Sequence, residues 1–79
     1  MINKKISVKV RVVFNRKGNT LDVWFGDPAS EALSEETGEE IILEKDGKGQ
    51  VIGFEKLNFM PPSELKKAPS RMPVEVIVE

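Results

Sequence analysis

Ile6, Val8, Val10, Val12 and Phe14 alternate with Ser7, Lys9, Arg11 and Val13 along the first part of the chain. A period of two belongs to a β-strand, whose successive side chains point to opposite faces of a sheet. A helix would need apolar residues three and four apart, so this segment commits the chain to a sheet with one face to bury. Asn15-Arg16-Lys17-Gly18-Asn19 then supplies a tight reversal, because Asn and Gly adopt positive φ at low cost. In the strand that follows, Leu21, Val23 and Phe25 continue the apolar face while Thr20, Asp22 and Trp24 take the other. Setting Phe14 opposite Leu21 keeps both apolar sets together and places Arg11 opposite Trp24.

From Asp27 onward two readings fit. Asp27-Pro28 followed by Ala29, Ser30 and Glu31 has the form of a helix start, with Asp at the N-cap, Pro at the first helical position and Gly38 available as the stop. Leu33 is the only large apolar residue there, so a helix has little to bury and an acidic extended edge is the alternative. Alternation returns with Ile41 and Leu43, a turn follows at Asp46-Gly47-Lys48-Gly49, and Val51-Ile52-Gly53-Phe54 begins a fourth strand. Pairing Leu43 with Ile52 and Ile41 with Phe54 gathers four apolar side chains on one face and sets Ile42 opposite Gly53 on the other. Leu57 and Phe59 fall on the parity of Glu55, so a bulge at Glu55–Lys56 is predicted to return them to the apolar face.

Met60-Pro61-Pro62 ends that strand, and Ser63–Lys67 forms at most a short helix. Pro73 then opens a last strand with Val74, Val76 and Val78 facing inward. The expected fold is mainly β, or α+β with little helix. It is a single domain over residues 1–79, an antiparallel meander of four strands with a fifth from the tail and one or two short helical turns.

Composition narrows the function classes. A chain of 79 residues buries only about 60% of its unfolded surface, so its stability leans on good packing or on association. With no Cys, His or Tyr, disulfides are excluded and the usual metal ligands, general bases and nucleophiles reduce to carboxylates, Lys, Ser and Thr. No catalytic, metal or cofactor residues are therefore assigned. No apolar run approaches the ~20 residues of a membrane span, and the start lacks the continuous apolar stretch of a signal peptide, so a cytoplasmic protein without membrane contact is expected.

The net charge of −1 conceals a strong segregation. Lys4, Lys5, Lys9, Arg11, Arg16 and Lys17 are the only charges in residues 1–20, and Asp22, Asp27, Glu31, Glu35, Glu36, Glu39, Glu40 and Glu44 are the only charges in residues 21–44. One explanation is a basic first strand paired with acidic neighbours across a ladder, where opposite charges contribute about 0.2–1 kcal/mol. The other is that Asp27, Glu31, Glu35, Glu36, Glu39 and Glu40 form an acidic surface for a basic partner. Nucleic-acid binding is disfavoured by a pI near 5.5 and by the scarcity of outward aromatics, Trp24 being the one candidate on a strand.

Three pieces in order resemble the YuzE-like family of short prokaryotic proteins of unknown function. They are Phe14-Asn15 followed by Leu21-x-Val23-x-Phe25; Ile41-Ile42-Leu43-Glu44; and Asp46-Gly47-Lys48-Gly49-Gln50-Val51-Ile52-Gly53-Phe54-Glu55-x-Leu57. The family-like core spans residues 12–57, leaving 58–79 as a tail. The chain departs from the family where members often carry an aromatic at the position of Asp22 and an apolar residue at that of Lys56. The family offers no catalytic residues. Some members look as if encoded beside small toxin-like proteins, so the resemblance implies an antitoxin or partner-binding role.

Trp24 carries the sharpest expectation. On the outer face it joins Val13, Ile42, Gly53 and Arg11 in a strip that a single-layer sheet leaves open. A partner protein or a second copy docking there would use Trp24 as its anchor. The local alternative is that Trp24 leans over Gly53 and stacks with Arg11. Asp22 and Glu55 form the competing candidate, a carboxylate pair for a hydrolase or a divalent cation, to be judged by whether they converge in a pocket with raised pKa.

Overall fold

The computed structural model describes residues 9–79. The predicted first strand therefore lies partly outside the described residues, with Ile6 and Val8. Within them run β1 (Arg11–Asn15), β2 (Thr20–Trp24), a single 3-10 turn (Pro28–Ser30), β3 (Glu31–Glu36), β4 (Ile41–Asp46), β5 (Val51–Leu57) and α1 (Pro62–Leu65). The domain is mainly β, an open five-stranded antiparallel sheet with one short helix.

The β1–β2 hairpin has the expected register, with Phe14 opposite Leu21 and Arg11 opposite Trp24. Its turn closes as the residue types require. The Asn15 side chain accepts from the Gly18 N–H at 2.9 Å, the Arg16 carbonyl accepts from the Asn19 N–H at 3.2 Å, and Asn19 takes φ +55°. The β4–β5 turn is closed by Asp46, whose carboxylate accepts from the N–H groups of Lys48 and Gln50, both at 2.9 Å, while Gly49 takes φ +81°.

Strand order departs from the expected meander. The order is β1-β2-β5-β4-β3, so sequential neighbours pair within β1–β2 and within β3–β4–β5, while β2 lies against β5 instead of β4. The fifth strand is the acidic segment Glu31–Glu36, and the tail provides none: residues 72–79 have no regular structure and Val78 is 92% exposed. Both readings of residues 27–38 are thus partly realised. Asp27 caps the Ala29 N–H at 3.0 Å and Pro28 opens one helical turn, after which the lack of apolar residues leaves nothing for a longer helix to bury. The chain extends as an edge strand instead.

The β4–β5 pairing is displaced by two residues from the predicted one. Leu43 lies opposite Phe54, Ile42 opposite Glu55 and Glu44 opposite Gly53. A shift of two leaves Ile41, Leu43, Phe54, Ile42 and Gly53 on their predicted faces, which is why alternation could not detect it. The irregularity expected at Glu55–Lys56 is found at the other end, between the Glu44–Gly53 and Lys45–Val51 pairs. It centres on Ile52, 8% exposed and the only buried apolar residue among the described ones, whose carbonyl accepts from both the Phe25 and the Gly26 N–H at 2.9 Å. Leu57 stays on the face of Glu55, opposite Thr20. Phe59 reaches the opposite face by leaving the strand, and packs on Phe14 with ring centroids 5.8 Å apart.

The two faces differ in cover. On one lie Val12, Phe14, Leu21, Val23, Phe54, Leu43 and Ile41. Part of the tail lies along it, with Pro69, Ser70, Met72 and Val74 bordering a groove beside Val12 and Phe14. The Arg16 guanidinium donates to the carbonyls of Ala68 and Pro69 at 2.5 and 2.6 Å and holds that segment in place. The other face carries Arg11, Val13, Asp22, Trp24, Gly53, Glu55, Ile42, Glu44 and Leu57.

Candidate functional site

The predicted strip Arg11, Val13, Trp24, Gly53 and Ile42 does share one face of the sheet. It forms two rows. Arg11, Trp24, Gly53, Glu44 and Ser34 lie across the strands in one row, and Val13, Asp22, Glu55, Ile42 and Glu36 in the next. Ile42 therefore faces Glu55, and Gly53 faces Glu44, contrary to the predicted Ile42–Gly53 pair.

Trp24 lies over Gly53. A β-carbon on Gly53 would stand 2.8 Å from Trp24 Cε3 and 2.7 Å from the Val23 carbonyl oxygen, both closer than such atoms approach. Glycine is thus the residue that lets the indole lie down on the sheet. Trp24 is half-buried in this position, and it also forms a wall of an open groove of about 380 Å³. Lys9, Arg11, Phe25, Gly26, Asp27 and Pro28 complete that groove, where β1 begins and β2 ends. Phe25 is 47% exposed. Among the described residues neither Lys9 nor Arg11 is in an ion pair, the two such pairs being Lys45–Glu35 and Lys56–Glu40 at 3.3 Å. Lys9, Phe25 and Pro28 were not foreseen as site residues. The period of two already placed Lys9 beside Arg11 on one face, which is the signal that could have found it.

The acidic residues divide across the sheet: Asp22 lies in β2 opposite Val13, and Asp27 borders the groove with Lys9 and Arg11, while Glu31, Glu35 and Glu36 lie in β3. The ladder explanation of the charge segregation reaches only Asp22, because β1 is one edge of the sheet and β3, with most of the acids, the other. Four strand spacings separate them, about 19 Å, more than twice the Debye length of about 8 Å at physiological salt. The acids find other partners. Glu35 pairs with Lys45, Glu40 accepts from Lys56 and from Asn58 at 3.0 Å, and Asp27 is held as a cap. Ser34 Oγ lies 2.7 Å from Glu44 and 2.8 Å from Glu31. Having one proton, it donates to one of these carboxylates at a time. Glu44 is 7% exposed, so that hydroxyl is its route to a hydrogen bond within the protein.

Asp22 and Glu55 are cross-strand partners. Burial pushes the Glu55 carboxyl above its ordinary value, and the neighbouring Asp22 charge and hydrogen bond push the same way. Half of the condition for a working carboxylate pair is therefore present. Neither residue borders the grooves beside Trp24, beside Phe14 or beside Ile41, and Val13 and Ile42 flank the pair in its row. Among the described residues no three carboxylates gather as a metal site would require. Among the described residues no helix is long and apolar enough to cross a membrane.

No curated protein and no solved structure matches the chain. A family model described as a protein of unknown function, DUF2283, matches residues 11–59. That span opens with the first residue of β1 and closes just beyond β5, so it takes in all five strands and leaves α1 and the tail outside. More than half of the sequence lies within the match, and the chain belongs to the DUF2283 family.

Proposed function

We propose that the chain is a small non-catalytic protein-interaction module whose working surface is the groove at the β1 edge, with Trp24 as its anchor. The observation that carries this reading is an aromatic ring laid over Gly53 and left half-exposed beside Lys9 and Arg11, which have no ion pair among the described residues, and beside the exposed Phe25. A site that combines an amphipathic aromatic with an Arg is the composition that dominates binding energy at protein interfaces. The resemblance to YuzE-like proteins supports the same class of role, and an antitoxin-like function is its specific form. The partner is a second protein or another copy of this chain, and the working compartment is the cytoplasm.

The test is the solution mass of the natively purified protein, with Trp24→Ala as the variant. A stoichiometric complex or homo-oligomer is expected, weakened by about 2 kcal/mol or more in the variant. Phe25→Ala, at an exposed groove residue, supplies a second arm that does not touch the packing over Gly53. A monomer with nothing bound would overturn the reading. Association indifferent to both variants would overturn the anchor.

A carboxylate-based hydrolase is the rival reading, favoured by one observation, the raised pKa of Glu55 beside Asp22. The interaction module is favoured by the groove that Trp24 lines, which neither Asp22 nor Glu55 borders.

A further inference from the structure

We infer that the partner at the β1 edge is the β3 edge of a second copy of this chain, joined head to tail; this rests on the interaction-module reading above. Among the described residues the sheet is open, so both edge strands present unpaired N–H and C=O groups, the usual template for strand addition. Both edges are accessible: all six residues of β3 and four of the five in β1 are exposed. Their charges are opposite. The β1 edge carries Lys9 and Arg11 with no ion-pair partner among the described residues, and β3 with its following loop carries Glu31, Glu35, Glu36 and Glu39.

Charged edges normally discourage pairing, and here they do so selectively. Like charges oppose β1 against β1 and β3 against β3, which are the two ways of forming a symmetric dimer through the edges. The pairing left open is β1 with β3. Within one molecule β1 and β3 are too far apart for their charges to attract through salt, so the attraction between these two edges acts only between molecules.

Direction and faces are compatible with this pairing. Five antiparallel strands leave β1 and β3 running the same way. A second copy displaced along the sheet therefore sets its β3 parallel to β1, with corresponding faces aligned. Glu36 lies on the same face as Arg11 and Trp24, and so comes to the side of the sheet where Lys9, Arg11 and Trp24 form their groove. Such a contact is heterologous and adds copies without closing at two.

The experiment is sedimentation velocity of the full chain over a wide concentration range at low and high salt. The wild type is expected to grow progressively with concentration and to dissociate with salt. Two charge-reversed variants are compared, Glu36→Lys with Glu39→Lys, and Lys9→Glu with Arg11→Glu, with circular dichroism confirming the fold of each. Each alone is expected to associate about tenfold or more weakly, because the β1–β3 contact then loses its opposition of charge. An equimolar mixture of the two is expected to recover association, which neither unfolding nor a generic loss of solubility would produce. A homo-oligomer indifferent to the charge swap overturns the edge pairing and leaves the interaction module standing. A monomer that carries a different protein does the same, whereas a monomer with no partner overturns both.

Discussion

Gly53 is the residue on which the site depends most directly. Its lack of a β-carbon lets the Trp24 ring and the Val23 carbonyl approach β5 more closely than any side chain permits. Gly53→Ala must therefore move the indole or the strand, and is expected to destabilise the fold by about 1–3 kcal/mol in urea denaturation, the range of an overpacked position. Glu55 has the opposite character. Its pKa lies above the ordinary 4.5 because burial, and then the facing Asp22, oppose its ionisation in the sheet. Relative to the unfolded chain this carboxyl favours folding when protonated, and its penalty grows as pH rises from about 4.5 through the raised value. Glu55→Gln is expected to stabilise the protein at pH 7 by about 0.2–1 kcal/mol, the scale of like charges facing across a ladder. The gain should vanish below pH 4, and a constant gain at all pH values would contradict this account. Glu40 acts in the reverse sense. Asn58 and Lys56 hold its pKa below 4.5, so its contribution is present at neutral pH and is lost as pH falls through the lowered value.

At the scale of elements, the two hairpins are local inventions and the joint between them is not. Asn19 closes the first turn at φ +55° and then reaches past β2 to the chain that leaves β5. Its side chain donates to the Met60 carbonyl at 2.8 Å and accepts from the Met60 N–H at 3.0 Å, while its own carbonyl accepts from the Phe59 N–H at 3.0 Å. One residue thus sets the turn and fixes the exit of the last strand, steering Phe59 onto Phe14. Asn19→Ala removes two hydrogen bonds and places a β-branchless but still L residue in the left-handed region. The expected cost is about 2 kcal/mol or more, read as a lower denaturation midpoint. Asn19→Gly restores the backbone freedom without the side-chain bonds, and should recover only part of the loss. The edge strand β3 shows a different balance. All six of its residues are exposed, and it is held by its ladder to β4 with help from Ser34 and the Lys45–Glu35 pair.

The whole molecule is a single layer. Its described residues have a radius of gyration of 15.1 Å, against about 11 Å for a compact chain of that length, and span 54 × 27 × 24 Å. Ile52 is the lone apolar residue buried below a tenth of its surface. Burial of apolar area is the main force that holds folds together, so a layer this open gains stability from whatever covers its faces or continues its edges. The basic and acidic edges supply one such continuation, and Trp24 stands at the point where it would begin.

Local patterning determined β1, β2, β4 and β5, the first hairpin with its register, the positions of both turns and the face on which each of Trp24, Val13, Gly53 and Ile42 lies, because these follow from a period of two and from residues that tolerate positive φ. It also placed Asp22 and Glu55 on one face. Which strand lies beside which was decided only by the tertiary structure. A β2–β4 meander and the observed β2–β5 pairing bury the same apolar parity, and a register shifted by two leaves every face unchanged, so alternation carries no information about either. The groove of Lys9, Arg11 and Trp24, the Asp22–Glu55 contact and the separation of basic from acidic edges all arise from that choice. They required residues far apart in sequence to meet, or to be kept apart, across the sheet.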